Sequence, residues 1–215
     1  MTKTTISTRA ALATALGFAG LSIAVQLHLT QPYDEAGLRA VLVARSPALT
    51  RVMLGFTTVG GALVALPFAL AFTGWLAFAR SRRTAVFYFV TSLTGWGMHA
   101  LLKLVFGRAR PTLIPRLHGA GWVSFPSGHA MTSTVIFGLA VVLATERRRD
   151  SLGSRLMIAA GCLVIAGVAV SRVYLGVHYP SDVVAGMLGG WTWIGIALAW
   201  FRPRLAPEIA SLRSQ

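Results

Sequence analysis

Ionisable side chains are scarce in this sequence, and those that could do chemistry come in three short segments. Lys103 and Arg110 fall in the first, Ser127, Gly128 and His129 in the second, and Arg172, His178 and Asp182 in the third. Lys103, Arg110 and Arg172 are fixed cations, and Asp182 is the only acid beside them. Cations crowded together repel unless an anion lies between them, and a guanidinium matches phosphate oxygens with paired hydrogen bonds. The run Phe125-Pro126-Ser127-Gly128-His129-Ala130 offers a second anion site. Ser127 suits an N-cap, Gly128 permits close approach to the backbone, and free N–H groups at a helix start favour phosphate. Pro-Ser-Gly by itself reads as an ordinary helix cap; His129, one residue inside it, points to chemistry. His178 and Asp182 are four positions apart, but Pro180 disfavours regular helix through Tyr179. The simplest reading has Pro180 opening a helix, Asp182 in its first turn and His178 just outside, within reach of the carboxylate. Such a carboxylate fixes the imidazole tautomer and leaves the other nitrogen as a nucleophile or base. Two histidines and an aspartate also suit a divalent metal, yet the nearby cations oppose one, so no metal is expected.

What must position these groups is a membrane bundle. The chain has 215 residues, 55% hydrophobic and 12% charged, with a mean hydropathy of +0.67. Soluble domains carry about 25% charged residues, so a water-soluble fold is excluded, and the abundance of apolar residues excludes disorder. A lone cysteine, Cys162, excludes an intrachain disulfide framework. A crossing helix needs about 20 apolar residues, and six runs meet or approach this: 10–29, 52–79, 84–106, 128–145, 156–170 and 183–201. The expected fold class is all-α, a polytopic membrane protein with six transmembrane helices in one bundle and a single domain over 1–215. The long second run contains Pro67, which predicts a tilt or kink. The first run reads as a retained helix, since no small-x-small cleavage pattern follows it. Gly186 and Gly190 form a GxxxG pair, read as close helix packing.

The net charge of +14 does not indicate nucleic acid, because the basic residues alternate with apolar runs instead of forming one face. With the N-terminus in the cytoplasm, twelve Lys and Arg fall on the cytoplasmic side and eight on the other. The strongest cytoplasmic markers are Arg80, Arg82 and Arg83, and Arg147, Arg148 and Arg149. Both termini are then cytoplasmic, and all the candidate chemistry faces outward from the plasma (inner) membrane.

The segment Lys103-Leu-Val-Phe-Gly-Arg-Ala-Arg110-Pro111 resembles the first signature of the type-2 phosphatidic acid phosphatase superfamily. Pro126-Ser127-Gly128-His129 resembles the second, and Ser171-Arg172 through His178 to Asp182 the third. The signatures match in order across 103–182, and the hydropathy fits the membrane lipid phosphatase branch, not the soluble vanadate-binding chloroperoxidases. The resemblance implies that His178 attacks phosphorus to form a phosphohistidine while Asp182 orients it. His129 would protonate the leaving oxygen and then activate water. Lys103, Arg110, Ser127, Gly128 and Arg172 would hold the phosphoryl oxygens, with no metal or cofactor. The implied partners are the bilayer and a phospholipid or polyprenyl phosphate substrate.

Undecaprenyl diphosphate is placed first among substrates, by fold-level analogy. Next come a broad activity on phosphatidic acid or phosphatidylglycerol phosphate, and action on lipid A phosphates. Arg108 and Arg116 either grip a second phosphate or pair with lipid head groups. Trp122, in the loop 112–125, reads as an interfacial anchor. Arg39, Arg45 and Arg51 read as surface charges, and His28 and His99 as packing residues, with His99 one turn from Lys103. Cys162 reads as lipid-facing or packed. Two other classes fit the sequence less well. An anionic-solute transporter should hold its site near the midplane of repeated halves, and no repeat is visible. A silent lipid-binding relative would not need every implied catalytic position.

Overall fold

A computed structural model describes residues 8–146 and 150–211, with only the backbone path for 202–211. Lys3, Arg147, Arg148, Arg149 and Arg213, and the side chains of Arg202 and Arg204, lie outside the described part. The chain forms α1 (Thr8–Gln26), α2 (Gln31–Val43), α3 (Pro47–Val59), α4 (Ala62–Ala79) and α5 (Arg82–Phe106). After a loop come α6 (Gly128–Ser133), a π-helical turn (Thr134–Gly138), α7 (Leu139–Thr145), α8 (Leu152–Tyr174) and α9 (Pro180–Ser211). Helix starts follow local chemistry: Ser46, Ser81, Ser127 and Ser151 each accept from a backbone N–H in the first turn of the helix that follows. Gly107 closes α5 at φ 61, a left-handed cap that glycine adopts without strain.

Among the described residues, six helices are long and apolar enough to span a membrane: α1, α4, α5, the continuous rod Gly128–Thr145, α8 and α9. Five expected spans are found, 128–145 with the bounds expected and the other four with shifted ends. The run 52–79 is a correction: it is not one kinked helix, and Pro67 sits inside an unbroken α4. The break falls at Gly60 and Gly61, between α3 and α4. There α3 packs hard on α8; a Cβ on Gly60 would lie 2.4 Å from Val168 Cγ1, and one on Gly167 2.3 Å from Phe56 Cε1. At 1.5 Å per residue, the 13-residue α3 is too short to cross. Helix α2 was not expected from the sequence at all. It carries Tyr33, Leu42 and Val43 exposed and turns Asp34 and Leu38 inward.

The rod α6–α7 is the buried centre. Gly186 and Gly190 bring α9 against it: a Cβ on Gly186 would lie 2.6 Å from the Ser127 carbonyl oxygen, and one on Gly190 2.7 Å from Thr134 Cβ. This is the close packing expected of the pair. The π turn disturbs the regular ladder, and the Tyr88 hydroxyl donates to the Ile136 carbonyl at 3.2 Å. Cys162 is exposed on α8, so on a membrane helix it faces lipid. His28 is not a packing residue: it is exposed in the turn after α1, at φ 58.

Candidate active site

The ends of α5 and α8 and the starts of α6 and α9 meet at one end of the bundle. A cavity of about 380 Å³ opens there. Its polar end is lined by Lys103, Arg110, Gly128, His129, Arg172 and His178. Of the candidate residues, Ser127 and Asp182 stand behind this lining, both fully buried. The Ser127 hydroxyl accepts from Ala130 N at 3.5 Å, and its own N–H donates to the Asp182 carbonyl at 3.0 Å. Helix α6 is thereby tied to the first turn of α9.

His178 sits in the short loop between α8 and α9. Its Nδ1 is 3.3 Å from Asp182 Oδ2, and its Nε2 is 3.1 Å from Arg110 Nη1. A guanidinium only donates. Nε2 is therefore the lone-pair nitrogen, and the proton rests on Nδ1 against the carboxylate. Burial pulls the His178 imidazole down to about 4; Asp182 opposes this, while Arg110 and Arg172 add to it. Burial also holds Arg110 below its ordinary value, with Asp182 opposing.

The cations are held by the chain's own oxygens. Lys103 Nζ donates to the Val123 carbonyl at 2.9 Å. Arg110 donates to the carbonyls of Gly121 and Val177, and Arg172 Nη1 to Thr57 Oγ1. Among the described residues Arg172 Nε, which is buried, finds no hydrogen-bond partner; it is a donor that an anion in the cavity would satisfy. His99 also lines the cavity and touches Gly128, where a Cβ would lie 2.7 Å from His99 Cδ2. Away from this end the lining is mostly apolar, with Ser92 and Thr132 its hydroxyl side chains: Ala62, Leu66, Ala69 and Leu70 come from α4 and Phe89, Leu93 and Trp96 from α5.

Several side chains take roles the sequence did not reveal. Arg108 does not line the cavity; it bonds Asp182 and Asp34 at 2.7 and 2.8 Å. Arg116 donates to the Pro111 carbonyl at 3.0 Å, bracing its own loop. Arg45 is not a plain surface charge, since its Nη2 donates to the carbonyls of Tyr174 and Pro115, both at 2.9 Å. Arg39 pairs with Glu35 on the surface, as expected of it, and Trp122 is 97% exposed. The only sequence signal for Asp34 was the rarity of acids, six in the whole chain. Among the described residues, no three His, Cys, Asp or Glu side chains gather as a metal-binding group.

The model of the PAP2 superfamily matches residues 83–206, more than half of the chain. The chain belongs to the PAP2 superfamily. Phosphatidylglycerophosphatase B of Bacillus subtilis is 30% identical over 80% of this chain and 84% of its own length. YbjG of Escherichia coli, named for undecaprenyl diphosphate hydrolysis, is 46% identical over 34% of this chain and 33% of its own. The crystal structure of the transmembrane PAP2-type phosphatidylglycerolphosphate phosphatase from Bacillus subtilis superposes with a TM-score of 0.82. It is 25% identical, and the match covers 90% of this chain and 96% of that one. This PAP2 protein is thus a multi-pass integral membrane protein and a metal-independent lipid phosphatase. The PAP2 match contains all eight candidate site residues; Asp34 lies outside it.

Proposed function

We propose that the protein removes the terminal phosphate from a lipid head group through a phosphohistidine on His178. Nε2 attacks phosphorus as the bond to the lipid oxygen breaks, and His129 gives that oxygen its proton. His129 then takes a proton from water, which attacks the phosphohistidine, releases inorganic phosphate and restores Nε2. Asp182 holds the Nδ1 proton and offsets the charge that develops on the ring. Lys103, Arg110, Arg172 and the N-terminus of α6, capped by Ser127 and opened by Gly128, take the phosphoryl oxygens. The observation carrying this reading is the orientation of His178, Nδ1 toward Asp182 and Nε2 toward a cation-lined cavity. The residues act within one domain, with the chemistry in 103–182.

The favoured substrate is a phosphomonoester of a glycerolipid, phosphatidylglycerophosphate first. Arg108 and Arg116, the candidates for holding a second phosphate, are engaged elsewhere, and a relative matched over 84% of its own length bears the name phosphatidylglycerophosphatase. The apolar limb between α4 and α5 suits a lipid tail lying beside its reacting head. Undecaprenyl diphosphate, placed first from the sequence alone, becomes the second reading, supported by the 46% identity to YbjG. A panel of both lipids with phosphatidic acid, in mixed micelles with chelator present, tests this. Phosphate release should be fastest from phosphatidylglycerophosphate. A tenfold preference for the diphosphate would reverse the order, and dependence on added metal would overturn the mechanism.

The site faces the periplasm or cell exterior, and both termini are cytoplasmic, on the strength of the basic residues between spans. With Cys162 replaced by serine, a cysteine placed at Gly119 should react with an impermeant reagent added to intact cells. Labelling only after lysis would invert the orientation.

A further inference from the structure

Behind the nucleophile's carboxylate lies a second tier that no catalytic role yet covers. Asp182 Oδ2 faces His178 and accepts from Tyr179 N at 2.9 Å. Its Oδ1 accepts from Arg108 Nη1 at 2.7 Å. The same guanidinium reaches Ser181 Oγ at 2.8 Å and, through Nη2, Asp34 Oδ2 at 2.8 Å. Its face lies over the Tyr179 ring, 4.0 Å from the centroid. Asp34, brought in by α2, is 1% exposed and also accepts from Ser181 N at 2.8 Å and Ser181 Oγ at 2.6 Å.

We propose that Asp34 and Arg108 are positioning residues for the reaction, setting the angle and the net charge of the carboxylate that Asp182 presents to His178. This inference rests on the reading of His178 as nucleophile and Asp182 as its partner.

Geometry supports the first half. Asp182 is wholly buried, and a carboxylate free to turn would present either oxygen to the imidazole. Arg108 holds one oxygen and leaves the other for Nδ1. Arg108 is itself fixed along both edges and over one face, so the carboxylate inherits that rigidity. Charge supports the second half. An arginine paired with Asp182 alone would neutralise it, leaving little to stabilise the cationic ring once Nε2 carries phosphorus. Asp34 restores one net negative charge to the Asp34–Arg108–Asp182 chain. In a buried site that excess acts through a low effective dielectric. Asp34 also binds the free N–H at the start of α9, where Pro180 supplies none, and so ties the amphipathic α2 to the active helix.

The test uses the full-length protein in detergent micelles with short-chain phosphatidic acid. Asp34→Asn keeps the shape and removes the charge. Arg108→Lys keeps the charge and loses the two-edged grip. Each should lower kcat by roughly tenfold to a hundredfold, the scale of misplacing a reacting group. Neither should change KM or the inhibition constant for inorganic phosphate by more than about twofold, because the cavity cations are untouched. Asp34→Glu should recover more of kcat than Asp34→Asn. Unchanged kcat in both variants would overturn the inference. So would a loss of kcat matched by weaker phosphate inhibition and a lower Tm, which marks a purely structural pair. His178→Ala, run in parallel, separates the two levels. If it remains active, the nucleophile assignment fails; if it is dead while Asp34→Asn and Arg108→Lys are normal, only the positioning role fails.

Discussion

At the scale of residues, the nucleophile's environment makes a prediction with a definite sign. His178 is buried and its pKa is lowered to about 4, so the folded protein binds fewer protons there than an unfolded chain with an imidazole near 6.5. The stability this neutral ring contributes is complete above about pH 6.5 and is lost as pH falls toward 4. In ¹⁵N-histidine NMR, the resonance absent from a His178→Asn variant should keep its neutral position down to about pH 5. A midpoint near 6.5 would contradict the burial argument. The cations differ from the nucleophile in what their loss removes. His178→Ala should abolish phosphate release, because it removes the nitrogen that takes phosphorus. Arg172→Lys should retain a measurable rate, reduced on the order of 10²-fold, the typical loss when one preorganised donor is removed. If the two variants lose activity equally, the site is not built around a covalent intermediate.

At the scale of elements, two glycines separate packing from propensity. A Cβ at Gly186 would stand 2.6 Å from a carbonyl oxygen of the loop feeding α6, and backbone cannot rotate away. Gly186→Ala should therefore destabilise by about 1–3 kcal/mol and lower kcat, because α9 carries Asp182. A Cβ at Gly97 on α5 would meet no other part of the described structure within 4 Å. Gly97→Ala should be neutral or stabilise by up to about 1 kcal/mol. Thermal unfolding followed by tryptophan fluorescence reads both. Equal shifts would mean that close approach of α9 to α6 is not what fixes the bundle there. The same logic explains the division of the run 52–79. Its composition is continuous, but Val168 and Phe56 leave room only for glycine where α3 and α8 touch.

At the scale of the whole molecule, the cavity joins a charged end near the rim to an apolar limb between two lipid-facing helices. Leu66→Trp, on α4, narrows that limb without touching the charged end. It should reduce kcat/KM about tenfold for a long-chain lipid phosphate and leave a short-chain analogue within about twofold. Equal losses for both would place the tail elsewhere.

The sequence by itself determined the membrane class, the number of crossing helices and the eight candidate site residues. These are readable because bilayer thickness sets an apolar length, and because polar groups in apolar runs are too costly to be there without a reason. The order of those residues along the chain already implied a phosphate. Only the tertiary structure decided that Nε2 of His178 is the free nitrogen, and that Arg108 pairs with Asp182 and Asp34. It also decided that α2 carries Asp34 to Ser181, 147 positions away in the chain. No local pattern marks such a contact. A carboxylate on a short amphipathic helix looks the same whether it meets water or a buried guanidinium, and the difference arises only when distant helices close on one another.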